Sequence, residues 1–247
     1  MSLPRYLKPK KQYLLERIGN NNDGGYLVNS KSIINSKSLI SFGIGNNWSF
    51  EKNFQNLNNK CKIFCYDNYI CSKTLFSEFI KEIILFYKLD LKKIFNTFIK
   101  NFDYIFFFKK NKITRHYVTS NSIKNILKKE KIIAPIFFKI DIEGSEYRIL
   151  EDLIKIKKKI IAIIIEFHDI DLHIDKIKKF INNIDLQLTH IHPNNFAILD
   201  KSKNPTVIEL TFERFPEIIG TSAKLPNKKD QKCDPSKNDI NLRFQSK

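Results

Sequence analysis

Five runs in this chain begin apolar and finish in glycine, acid or imidazole: "SFGIGNN" (41–47), "CYD" (65–67), "FFKIDIEG" (137–144), "IIIEFH" (163–168) and "THIHPNN" (189–195). In the third, Asp141 and Glu143 stand two apart and share a face if the strand persists through them. Carboxylates that close repel unless water, a cation or a metal takes up their charge. The fourth run repeats the spacing with Glu166 and His168, and the fifth with His190 and His192. Acid and imidazole at neighbouring strand ends suit either proton transfer or an oxygen-preferring divalent ion, Mg or Mn, with a histidine ligand. The candidate catalytic residues are therefore Asp141, Glu166, His168 and His192. The candidate metal set is Asp141, Glu143, Glu166, His168 and His192. A histidine in such a place, taken singly, is more often a packed group than a ligand.

The glycines and Asp67 suggest a second kind of chemistry. Gly43 and Gly45 leave the backbone bare where a strand meets a helix, so a ligand can approach closely. The third glycine of a dinucleotide fingerprint is missing, and no GK[ST] follows, which excludes a P-loop. Asp67 closes the next strand, about twenty residues on, where a carboxylate can accept both hydroxyls of a ribose. Together the two features indicate an adenosine-type cofactor.

Residues so scattered meet only if a sheet aligns the ends of their strands. In open parallel sheets, ligands bind beyond the carboxyl ends. Apolar patterning predicts strands over 38–45, 61–67, 113–120, 135–143, 159–168, 185–192 and 205–213. The runs at 135–143 and 159–168 are near-continuous Ile and Phe, as in central parallel strands buried on both faces. The more polar 113–120 suits a place near an edge, and the last two runs suit an antiparallel pair. Helical stripes fall between them at 121–130, after Gly144 and at 173–184. Ser145 is a candidate cap, and Glu146 lies in the first turn, where the helix dipole favours acid. The expected fold is α/β, a doubly wound, Rossmann-like, mostly parallel seven-stranded sheet with helices on both faces. Residues 72–110 read as a helical insertion, either a lid for the site or extra packing. Residues 221–247 are polar with few large apolar groups, and a flexible tail is expected after a domain spanning 1–220.

Composition narrows the class. The 247 residues fit one large domain, and 43 basic against 26 acidic residues leave a net charge of +17. The lysines are scattered along helices among many Ile and Asn, so an anionic small molecule is expected as partner rather than nucleic acid. Cys61, Cys65, Cys71 and Cys233 show no paired CxxC spacing, so no zinc site is expected and a reducing compartment is. No apolar run is long enough for a signal peptide or a transmembrane span, and a cytoplasmic location is expected.

"SFGIGNNWSFEKNF", "CYD", "FKIDIEGSEYRIL" and "IIIEFHDI" resemble the FkbM-type branch of the class I S-adenosylmethionine-dependent methyltransferases. The "KIDIEGSE" junction at 139–146 is the most telling element, and "RIGNNNDGGYLV" (17–28) and "HIHPNNF…VIELTFER" (190–214) also match. The resemblance implies S-adenosylmethionine as cofactor, Gly43 and Gly45 beside its methionine part, and Asp67 on its ribose. It further implies Asn121 or its neighbours near adenine and Asp141 with Glu143 facing the transferring methyl. Asp23, Gly24 and Gly25 form either a turn at the cofactor's amino-acid end or an ordinary β-turn. Asn47 stands where a fuller G-x-G-x-G pattern has its third glycine. The expected reaction is O-methylation of a small sugar-like or phosphorylated metabolite. Its rivals are a nucleic-acid methyltransferase, a metal-dependent phosphodiesterase or phosphatase, and a non-catalytic binding module.

Overall fold

In the computed structural model, which describes residues 2–68, 77, 80, 81 and 91–246, all seven apolar runs become strands of one sheet. Two small pairs accompany it: β1 (Gln12–Tyr13) with β11 (Ile218–Gly220), and the hairpin β2 (Glu16–Gly19) with β3 (Gly25–Val28). The main sheet contains β4 (Ser38–Phe42), β5 (Lys62–Asp67), β6 (Lys112–Arg115), β7 (Ile136–Ile140), β8 (Ile160–Phe167), β9 (Gln187–Pro193) and β10 (Ile208–Glu213). Their spatial order is β6-β5-β4-β7-β8-β10-β9. β6 to β8 are mutually parallel, and β10 runs antiparallel to both β8 and β9. The chain winds outward from β4 to β6, then returns to lay β7 on the other side of β4. That reversal opens a crevice at the carboxyl ends of β4 and β7.

Alternation along the strands explains the two helical layers. Ile40, Phe42, Phe138, Ile140, Ile163 and Ile165 pack on one face against α4 (Ser122–Glu130), α5 (Leu150–Lys155) and α6 (Ile170–Asn183). Leu39, Ile63, Phe137, Ala162 and Ile164 pack on the other against α1 (Ser30–Ile34), α2 (Ser49–Leu57) and α3 (Leu91–Lys110). Every residue of β4, β7 and β8 is buried, as expected for strands covered twice.

Of the expected insertion, residues 91–110 form the single helix α3. Tyr104 and Phe107 are buried in the second core, and Trp48 meets Tyr104 edge-on at 5.4 Å. Asp103 accepts from Trp48 Nε1 at 2.7 Å and Lys52 Nζ at 2.6 Å, fastening α3 to α2. Residues 72–76, 78, 79 and 82–90, and the lid assigned to them, lie outside the described residues, as does Cys71.

Two local expectations are corrected. β7 stops at Ile140, and Glu143 (φ 51°) and Gly144 (φ 88°) turn left-handed, so Asp141 and Glu143 do not share a strand face. Ser145 makes no side-chain cap; a 3-10 turn, Glu146–Arg148, intervenes before α5. Residues 221–247 are expected to be flexible; the described ones, 221–246, carry no helix or named strand of their own and lie against the body. Leu225, Leu242 and Phe244 pack on the first core, Phe244 bridges to Leu3, and Asp230 takes a bond from His190 at 2.8 Å. Among the described residues no helix is long and apolar enough to cross a membrane.

Candidate active site

Strand register gathers the chemistry. Tyr66, Phe42, Ile140 and Ile165 are paired side by side across β5, β4, β7 and β8. One residue further along stand Asp67, Gly43, Asp141 and Glu166, and Glu166 is paired with Glu209 and Glu209 with His192. Remote positions thus form one row at the carboxyl lip of the sheet.

A cavity of about 480 Å³ opens over the β5–β4–β7 part of this row, within the usual size for a cofactor pocket. Asp23, Gly24, Gly43, Gly45, Asp67, Asp141 and Glu143 line it; Gly25, Asn121, Glu166, His168 and His192 do not. Asp67 Oδ2 accepts from the amides of Ile44 and Gly45, both at 3.0 Å, and so shapes the glycine turn. The two glycines have different reasons for being glycine. At Gly43 (φ +71°) a Cβ would fall 1.5 Å from the Asp141 carbonyl oxygen, so bare backbone lets β4 and β7 close up. At Gly45 (φ +54°) nothing lies within 4 Å of a Cβ, and the backbone faces open space. The β2–β3 turn docks on this loop: Asn47 Nδ2 donates to the Asp23 carbonyl at 3.2 Å, bringing Asp23 to the pocket wall. Gly25 belongs to that hairpin, where a Cβ would meet the Asn20 carbonyl at 1.9 Å. Asn121 sits at the start of α4, and His116, Tyr117 and Val118 line the cavity in its place.

Lys139 is one residue that sequence reasoning missed. It is 4% exposed, and its ammonium donates to the Gly43 carbonyl and approaches Asp141 Oδ2 at 3.5 Å. Burial would lower its pKa, but Asp141, Glu51 and Glu166 outweigh that and raise it. Its signal was a lone lysine inside an otherwise apolar strand, two residues before Asp141. Two acids near it are pushed up. Burial, then Asp141 and Glu209, raise Asp23; burial, then the same two, raise Glu166 well above the carboxylate range. Asn194 Nδ2 donates to Glu166 at 2.8 Å.

His168 stands beyond Asp141 in a cage of carboxylates. Its Nδ1 is 3.2 Å from Glu146, its Nε2 is 3.2 Å from Glu143 and 3.7 Å from Glu166. Burial opposes its charge, but the bond to Glu146 and the nearby acids prevail, so its pKa is raised. Glu146 also accepts from the His168 amide at 2.7 Å; this buried acid orients an imidazole rather than only complementing a helix dipole. Among the described residues the expected metal set is divided. Asp141, Glu143 and His168 bring donor atoms within 4.8 Å of one another; Glu166 groups with Asp23 and Glu209, and His192 with Glu209 and Cys233. Glu209 was not foreseen, although the alternation of "VIELTFE" puts it on the same face as Thr211 and Glu213.

The family model described as "Methyltransferase FkbM domain" matches residues 9–190. No curated protein sequence matches the chain. Similar solved structures include precorrin-6y C5,15-methyltransferase from Geobacter metallireducens, 12% identical over 74% of this chain and 84% of that one, TM-score 0.39. Another is TrmK of M. capricolum in complex with S-adenosyl-homocysteine, 15% identical over 76% and 66%, TM-score 0.38. A third is a Methanococcus jannaschii fibrillarin, 9% identical over 81% and 82%, TM-score 0.40. Likenesses this remote decide nothing about substrate. With the family match spanning most of the chain, and a doubly wound sheet carrying the matched motifs, the chain belongs to the FkbM methyltransferase domain family.

Proposed function

We propose that the protein moves a methyl group from S-adenosylmethionine to an oxygen of a small, anionic, sugar-like or phosphorylated acceptor. The observation that carries this reading is the cavity over β5, β4 and β7, where the open backbone of Gly45, the Asp67 carboxylate and Asp141 share one wall. Such a wall suits a nucleoside with a charged amino-acid arm. The cofactor supplies an electrophilic methyl on sulfur. The acceptor oxygen forms the new bond as the carbon–sulfur bond breaks, and the protein aligns the three atoms and excludes water.

The chain's own groups divide the labour. Gly45 gives backbone access, Asp67 keeps the turn in shape and offers its carboxylate to the ribose, and Asp23 faces the amino-acid end. Lys139 holds the Asp141 carboxylate at the methyl-transfer end. Asp141, Glu143 and His168 face the acceptor and take its proton. A divalent ion, Mg²⁺ or Mn²⁺, held by the same three residues would lower the acceptor's pKa instead. The charge of +17 favours a phosphorylated or otherwise acidic acceptor.

Calorimetric titration with S-adenosylhomocysteine tests the cofactor half; micromolar binding is expected, and none would overturn it. Methyl transfer from labelled cofactor to nucleotide sugars and phosphorylated metabolites, with and without chelator, tests the acceptor and the ion. Tight, steeply salt-dependent RNA binding with RNA methylation would replace the small acceptor by nucleic acid.

A further inference from the structure

We propose that His192, Glu209 and Cys233 form a binding site for a divalent ion, Zn²⁺ by donor chemistry, that fastens the C-terminal stretch to the antiparallel edge of the sheet. His192 and Glu209 are paired neighbours on β9 and β10, and Cys233 comes from the stretch after β11. The three are 3%, 5% and 3% exposed. His192 Nδ1 lies 3.5 Å from Glu209 Oε2 and 3.9 Å from Cys233 Sγ, and Sγ lies 3.6 Å from Glu209 Oε1.

The thiol lies at weak hydrogen-bond distance from both partners, while the imidazole and carboxylate stand wider apart than a direct charged bond. A charged imidazole–carboxylate hydrogen bond closes to about 2.7–2.9 Å. The edges of a tetrahedron built on zinc bonds of about 2.0–2.3 Å to nitrogen, oxygen and sulfur are roughly 3.3–3.6 Å. The local charge points the same way. Buried Glu166 and exposed Asp23 bring further acid beside Glu209. Arg17 and Lys139 are nearby cations; the Arg17 guanidinium donates to the carbonyls of Asn20 and Asn22, and the Lys139 ammonium to that of Gly43. An arriving ion displaces the thiol proton and the Nδ1 proton to water and leaves a thiolate and a neutral imidazole. Three protein donors leave one tetrahedral position for water. The ring's other nitrogen, Nε2, is buried without a partner, and a small cavity of about 60 Å³ is lined by His192, Asp230 and Asp239. Cysteine spacing signals no such site because its donors come from three separate segments.

The test uses the full chain, stripped with chelator, equilibrated with Zn²⁺ and freed of excess by gel filtration before metal counting. One retained ion per chain is expected, lost in Cys233→Ser and in His192→Gln and kept in Cys61→Ser and in Asp141→Asn. No retained zinc in the native sequence, full retention in Cys233→Ser, or loss in Asp141→Asn would each overturn the assignment. Should Cys233→Ser fail to fold, maleimide labelling of the native chain gives the answer. Zinc should slow modification of Cys233 by about tenfold or more relative to chelator and leave Cys61 and Cys65 unchanged; equal rates at Cys233 would refute it. The result is independent of cofactor binding, since none of the three donors lines the larger cavity.

Discussion

Asp67 has two jobs that two substitutions can separate. In Asp67→Ala the amides of Ile44 and Gly45 both lose their acceptor. Gly45 is exposed, so water takes its N–H; Ile44 is 3% exposed, and its N–H is left without a partner. One orphaned buried donor costs about 1–3 kcal/mol. For a domain of this size that is a fall in Tm of about 2–12 °C, at roughly 2–4 °C per kcal/mol. Asp67→Asn keeps a carbonyl oxygen for both amides but loses the charge and one acceptor toward a ribose. It should melt within about 2 °C of the native chain, yet bind S-adenosylhomocysteine at least ~10-fold more weakly, the worth of one charge-assisted bond. Scanning fluorimetry and calorimetry read the two effects apart. An unchanged Tm in Asp67→Ala would refute the turn-holding role, and unchanged affinity in Asp67→Asn would refute the ribose role.

Two further outcomes follow from the geometry. Gly45→Ala should fold with a loss of about 1–2 kcal/mol, the strain of a left-handed alanine, whereas Gly43→Ala must also part β4 from β7 and should lose far more in a urea melt; equal losses would show that the 1.5 Å contact is relieved cheaply. Glu213 is buried, accepts from the Asn29 amide at 3.0 Å and the Ser32 hydroxyl at 2.6 Å, and is pushed up to about 7, chiefly by burial. Its folded pKa exceeds its unfolded one, so its contribution is full below the unfolded value and is lost as pH rises through about 7. The urea midpoint should therefore fall between about pH 4.5 and pH 7 in the native chain, level off above that, and lose this slope in Glu213→Gln; the same slope in both would place the titration elsewhere.

Much of the fold was legible because long apolar runs admit few solutions. A strand such as "IIAIIIEF" is stable only when covered on both faces, so helices had to flank it and its polar end had to reach the lip of the sheet. The antiparallel close and the edge position of "ITRHYVTS" followed from the same contrast of apolar and polar runs. Gly43, Gly45, Asp67, Asp141 and Glu143 were readable as a group because strand ends meet where the winding reverses, whereas Asp23 and Gly24 came only with the family resemblance.

What remained hidden depended on partners remote in sequence. Nothing local to Lys139 reveals that Asp141, Glu51 and Glu166 surround it, and nothing local to Glu146 reveals that it holds His168. Glu143 looked like a strand neighbour of Asp141 until a left-handed turn redirected it. The stretch after β11 has little apolar surface of its own, and its contacts with Leu3, His190 and His192 exist only once the sheet offers them an edge. The sequence alone determined which runs are buried and which residues end them, because burial depends on the side chain itself. Only the tertiary structure decided which charges face one another, because that depends on register between strands the chain brings together from far apart.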